Sequence, residues 1–358
     1  MAKLERQSNL ELLRILSMFG VLTSHSLTAM YDLHTANFSL PNEIRVYIMN
    51  ASVLAVNCFV LISGYFQIKQ SWRGFVKLLS PCFFYVLFFS LIAFFMGKMN
   101  IKEMVIRSIF PLTETNMWFL ITYFGLFLLS PLLNTAFNAQ DKIQRIITLI
   151  CLLFIDVYLG YMHQSKEITI DGYHLIHFVV IYYLGSFVKY INLKISNLRL
   201  LWGGYFFLVL LMTMFHMIKM VFSPIAIVYS MRYNSPSVIF VSLFLFILFT
   251  QLNIKSKKIN WIASSVLAVY IISEQLVVNR FYYGGLCYIQ QNYSEWTVIV
   301  VIPCIMVLFY LSCIFIDKMR IQLFSSVEIT ITNRLERFKG ILFSLKGILF
   351  SLIGRNLR

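Results

Sequence analysis

Three ionisable side chains, Glu11, Arg14 and His25, stand inside an otherwise apolar run, NLELLRILSMFGVLTSHS at residues 9–26. Arg14 and His25 are eleven residues apart. At about 100° per residue that is about three turns, so both fall on one helix face, about 16 Å apart along its axis. Glu11 precedes Arg14 by one turn on nearly the same face. A cation at the edge of an apolar layer and an imidazole deep within it are costly in lipid. Such groups turn toward the protein interior and are kept for function. A neutral imidazole can take the proton of a hydroxyl nucleophile. Arg14 can pair with Glu11, bind a lipid phosphate, or hold an anionic ligand. The bland alternative for His25 is an interhelical hydrogen bond beside Ser24 and Ser26.

A second carboxylate, Glu274, lies in the apolar segment SSVLAVYIISEQ at 264–275. It must face a partner or water. It reaches Arg280 only through a bend, or it shares a wet cavity with His25. Asp156 is a weaker case of the same kind. His174, His177 and His216 read as polar residues between helices. A third group is basic. In KQSWRGFVKLLSP, Lys69, Arg73 and Lys77 recur every fourth residue beside Trp72 and Phe75. That face is either an ordinary cytoplasmic anchor or a cradle for phosphates with an aromatic ring for a purine.

The elements that must position these groups follow from composition. The chain has 358 residues, 59% hydrophobic and 13% charged, with 34 Phe and 20 Tyr. Soluble proteins average about 45–50% apolar and about 25% charged. The apolar runs are long and continuous, which argues against a membrane β-barrel and for an all-α, polytopic helix bundle. About ten spans are expected, near 10–30, 46–67, 78–96, 117–136, 143–161, 174–190, 200–220, 237–252, 260–280 and 297–316, with ends good to a few residues. With the N-terminus inside, 22 of the 30 Lys and Arg lie at inner ends or in the C-terminal segment. Both termini are therefore expected in the cytoplasm. The same bias, with anionic lipid, accounts for the net charge of +15 without nucleic acid. Residues 1–316 form the expected membrane domain. Residues 317–358 form a basic amphipathic tail, in which KGILFSL occurs twice, at 339–345 and 346–352. The six cysteines include no CxxC, so neither a disulfide framework nor a metal site is indicated. No small-residue cleavage site follows the first apolar run, which reads as a retained span.

Taken together, the segments resemble the acyltransferase 3 family of integral membrane acyltransferases over nearly all of residues 8–316. Arg14, ten residues and His25 match the mark of its opening helix. VNCFVLISGYF at 56–66, WRGFVKLLSP at 72–81, MWFLITYFGLFLLSPLLN at 117–134 and FVVIYYLGSFVK at 178–189 resemble further family segments in the same order. SSVLAVYIISEQ resembles a late segment that commonly reads GIYLIHE. Lys77 stands where a second arginine is common, and Ser273 where a histidine is; Glu274 is kept. The resemblance is to the stand-alone form, without an appended SGNH hydrolase-like domain. It implies transfer of an acyl group, most often acetyl, from cytoplasmic acetyl-CoA to a hydroxyl of a cell-envelope glycan or lipid-linked sugar, in a bacterial plasma membrane. His25 and Glu274 would then be catalytic, and Arg14, Trp72, Arg73 and Lys77 would meet the acyl-CoA. The alternative is a sugar or lipid-linked oligosaccharide translocase that uses the same polar residues for binding or gating.

Overall fold

The computed structural model describes residues 7–31, 39–113, 117–169, 171–222 and 231–355, apart from the side chains of 220–222 and 339–355. Among them the secondary structure is helical throughout, with no strand. The expectations resting on Lys3, Arg6, Asp32, His34 and Glu114, and on the side chains of the repeat at 339–352, lie outside the described residues.

The chain begins with α1 (Ser8–Met30). The second span is two helices, α2 (Leu40–Val53) and α3 (Ala55–Phe66), joined at Leu54. Next comes α4 (Trp72–Phe95), whose first turn is capped by Ser71 accepting from Gly74 N–H. A short helix, α5 (Ile101–Ile109), leads to α6 (Trp118–Ala139). Asp141 and Gln144 form a capping box that starts α7 (Lys142–Leu153), which runs on as a π-helix over Phe154–Met162. Then follow α8 (Leu175–Ile191), α9 (Leu198–Phe222), α10 (Pro236–Gln251), α11 (Lys257–Ala263), α12 (Val266–Ser273), α13 (Leu276–Asn292) and the long α14 (Glu295–Arg355).

All ten expected segments are helical, but they are not ten equal rods. Seven helices among the described residues are long and apolar enough to cross a membrane. Helices α8 and α10 are apolar but shorter, at 17 and 16 residues. The ninth segment corrects the expectation of a continuous span: the chain turns by 86° between Ser273 and Leu276. Glu274 and Gln275 lie in that break. A polar pair within an apolar stretch is tolerated where broken backbone is buried in protein or lines a cavity. Helix α14 passes residue 316 without interruption. Just beyond it, Asp317 accepts from the Tyr85 hydroxyl of α4 at 3.0 Å, and Arg320 pairs with Asp317 at 2.8 Å and with Glu328 at 2.6 Å. These residues pack as part of the bundle.

Helix α1 lies at its centre, against α2, α3 and each of α10 to α14. Leu10, Leu13 and Leu22 are almost wholly buried. Its first turn is pinned by Asn9, whose amide donates to Phe249 O at 2.9 Å, and farther along Tyr310 donates to Ile15 O at 3.2 Å. The tightest helix pair is α3 with α8. A methyl group on Gly64 would collide with Tyr182 O, and one on Gly185 with Leu61 O. With no hydrophobic drive between helices in lipid, small residues let backbones touch and polar groups bond across. Ser186 does so here, donating to Gly64 O at 2.8 Å.

Candidate active site

His25 lies near the end of α1 and Glu274 in the break after α12. The helices meet there, and His25 Nδ1 is 2.9 Å from Glu274 Oε1. A carboxylate this close favours the tautomer protonated at Nδ1, which leaves Nε2 as the basic nitrogen. Nε2 has no protein partner among the described residues. The two side chains are 31% and 15% exposed, enough for a small molecule to reach them. They line a cavity of about 620 Å³, within the usual range of ligand sites, about 300–1,000 Å³.

The rest of the cavity wall comes from α2, the start of α6, α13 and two connecting segments. Trp118, Tyr173 and Tyr233 form an aromatic cluster on it. Their ring centroids are 4.2 Å apart for Trp118 and Tyr173, 5.6 Å for Trp118 and Tyr233, and 5.2 Å for Tyr173 and Tyr233. Backbone bonds hold the cluster. Thr122 donates to Tyr173 O at 3.1 Å, and Tyr233 N–H donates to Asp171 O at 3.0 Å. Gly172, at φ +84°, lets the two segments close: a Cβ there would fall 2.7 Å from Tyr233 Cβ. Partial burial, with the Asp171 carboxylate nearby, raises the Tyr173 phenol above its ordinary value, so it remains a donor. Asp171, Arg232 and Asn279 add polar groups to the wall.

Beneath the cavity lies a recess of about 10 Å³, close to the space of one water molecule. His25, Trp118 and Tyr233 line it too, with Met18, Val21, Val56, Phe59, Phe119 and Tyr270. Phe119 packs on Phe59 at 5.9 Å and on Tyr270 at 5.7 Å. These rings separate His25 from the other end of α1.

The basic group lies at that other end. Arg14 donates to Glu11 at 2.7 Å, one of the three roles open to it from sequence. Trp72 and Phe75 line a groove of about 330 Å³ with Phe127 and Leu128. Arg73 and Lys77 are exposed on α4 beside it. The structure thus brings His25 and Glu274 into contact, and places Arg14, Trp72, Arg73 and Lys77 away from their cavity.

One ionisable cluster was not assembled by sequence reasoning. Asp156, in the π-helix, and His177 of α8 meet at 2.7 Å, both side chains wholly buried. His177 Nε2 is 2.9 Å from Asn57 Oδ1, and the Asn57 amide donates to Tyr233 O at 2.9 Å. The array runs from α7 through α8 and α3 to the cavity wall. Its signal in the sequence was present: a carboxylate, an imidazole and an amide inside three apolar segments, each needing a partner. Among the described residues no group of three or more His, Cys, Asp or Glu is placed to hold a metal ion.

The family model of the acyltransferase domain, acyltransferase 3, matches residues 7–326. The chain belongs to the acyltransferase 3 family. No curated protein and no solved structure matches it. The matched region includes every helix that builds the cavity and the first part of α14 past residue 316. Family membership and the long apolar helices together make the chain a multi-pass membrane acyltransferase.

Proposed function

We propose that this acyltransferase moves an acetyl group from cytoplasmic acetyl-CoA to a hydroxyl of a cell-surface polysaccharide or lipid-linked sugar, in a bacterial plasma membrane. The observation that carries the proposal is the His25–Glu274 contact at 2.9 Å in the wall of a cavity of about 620 Å³. Glu274 holds the Nδ1 proton, and Nε2 takes the proton of the acceptor hydroxyl as its oxygen attacks the thioester carbonyl. The C–S bond then breaks, and the leaving coenzyme A sulfur takes the proton back from the imidazolium. A positioned general base of this kind contributes about 10²–10⁴-fold.

The two ends of α1 suit the two substrates. Coenzyme A is anionic and carries a purine, which suits Arg73, Lys77 and the groove beside Trp72, with Arg14 at the first turns of α1. The positive-inside bias assigns that end to the cytoplasm. The cavity opens toward the opposite end, where Trp118, Tyr173 and Tyr233 offer aromatic faces to the C–H face of a sugar ring. Acyl transfer across this arrangement requires the acyl arm to pass Phe59 and Phe119, whose rings must rotate to widen the recess.

The test uses the purified chain in lipid nanodiscs with acetyl-CoA. Release of coenzyme A should rise on adding acceptor glycan, and mass and NMR spectra should show a new O-acetyl group. Movement of a lipid-linked sugar across the bilayer, with no coenzyme A released under any acceptor, would make the chain a translocase and end the proposal.

A further inference from the structure

Acyl transfer creates negative charge on the thioester carbonyl oxygen, and a base alone does not stabilise it. Preorganised donors aimed at that oxygen, in a site closed to water, are commonly the largest single contribution to such a reaction. The recess beside His25 is such a place. Met18, Val21, Val56, Phe59 and Phe119 bring no polar side chain to it. Trp118 and Tyr233 do, but they also line the wide cavity. Tyr270 belongs to the recess and not to the wide cavity.

Tyr270 is 3% exposed, and its buried hydroxyl has the Phe119 backbone near its oxygen but no acceptor for its proton. A buried donor without an acceptor is a net loss to folding, so its retention asks for another reason. Its position is well determined. The ring packs edge-on against Phe119. The Tyr270 carbonyl accepts from Glu274 N–H at 3.2 Å and from the Ser273 hydroxyl at 2.9 Å. Residues 270 and 274 are one turn apart, so one helix end carries both the carboxylate that meets His25 and a tyrosine that lines the recess beside it.

We propose that Tyr270 is the oxyanion donor of this enzyme, its hydroxyl donating a hydrogen bond to the acyl-CoA carbonyl oxygen as the acceptor attacks. The inference rests on the acyl-transfer function proposed above. The acceptor oxygen forms a bond to the carbonyl carbon, and the carbonyl π pair moves onto oxygen, where the Tyr270 O–H receives it. As the C–S bond breaks, the carbonyl re-forms and the Tyr270 proton stays on its own oxygen. His25 carries the proton from acceptor to sulfur, so the donor ends each cycle unchanged.

Tyr270→Phe removes a hydroxyl whose proton has no acceptor and keeps the ring. In nanodiscs, with acetyl-CoA and methyl glucopyranoside or 1-butanol as acceptor, kcat should fall about 10²-fold. The KM for acetyl-CoA should stay within about twofold, the expected pattern when the lost contact forms only in the transition state. The melting temperature should be equal or higher. An independent probe is the ketone analogue of acetyl-CoA, with a methylene in place of sulfur and a ¹³C carbonyl. Its bound infrared carbonyl stretch should lie lower in the wild type than in Tyr270→Phe. Turnover within about threefold of wild type, or the same stretch in both proteins, overturns the assignment of Tyr270 while leaving acyl transfer standing. A wild type that releases no coenzyme A with any acceptor overturns both.

Discussion

Two histidine–carboxylate pairs among the described residues meet at short distance, His25–Glu274 at 2.9 Å and His177–Asp156 at 2.7 Å, the second closed by a hydrogen bond. Chemistry does not separate them; access does. The His177 pair is wholly buried, and each ring nitrogen of His177 already faces an oxygen. Nothing can reach it, and both of its ring nitrogens are taken. In the His25 pair one nitrogen faces Glu274 while the side chain lines both a wide cavity and a narrow recess with mostly apolar walls. The same two groups serve as a structural tie in one place and, in the function proposed, as an acid–base device in the other. The tie also serves the device, because its Asn57 holds the Tyr233 backbone in the cavity wall.

The contrast can be broken most directly at the imidazoles. His25→Ala should lower acetyl transfer by about 10²–10⁴-fold with the amount of protein in the membrane unchanged, as read by O-acetyl NMR and immunoblot. His177→Ala should do the reverse. Leaving Asp156 buried without its partner costs about 3–5 kcal/mol. The thermal transition and the folded yield should therefore drop, while the protein that remains folded keeps most of its turnover. If His177→Ala folds normally and is inactive, the assignment of the two pairs is wrong.

Smaller changes sharpen the contrast. Glu274→Gln keeps an acceptor for Nδ1–H but loses the charge. A hydrogen bond to a charged group is stronger than a neutral one by about 1 kcal/mol, so kcat should fall on the order of tenfold with little change in melting temperature. Asp156→Asn, the equivalent change in the buried pair, should lower the melting temperature and leave kcat within about twofold. Arg73→Gln lies outside both pairs. An exposed cation contributes about 0.2–1 kcal/mol, so the KM for acetyl-CoA should rise about two- to fivefold. That rise should shrink at high salt, and kcat should be untouched.

Much of this was legible in the sequence, and the illegible part has one cause. Helical periodicity aligned Arg14 with His25, because a helix turns by a fixed angle and a regular helix needs no partner to define its faces. Hydropathy marked all ten segments, because apolar residues must leave water wherever the chain goes. Gly64 could be read as a site of close helix approach, and α3 meets α8 there. The 86° turn at Glu274 was not legible, since the residues around it are as apolar as those of an unbroken span. Asp156 and His177 stood out as polar residues in apolar surroundings, and Asn57 did not. Their sharing of one network depends on how three helices pack.

Residue types and helical repeat by themselves determined the membrane bundle and the face that carries His25, because those follow from local geometry and transfer of side chains out of water, and the order of the segments carried the family resemblance. Tertiary structure decided which carboxylate each histidine meets, which pair is sealed and which is open. It also decided that Tyr270 lines the recess beside His25 with a buried hydroxyl whose proton meets no acceptor. Those outcomes depend on distances of about 3 Å between residues more than a hundred positions apart in three of the contacts involved, as for His25 with Glu274, and only packed helices bring such residues together.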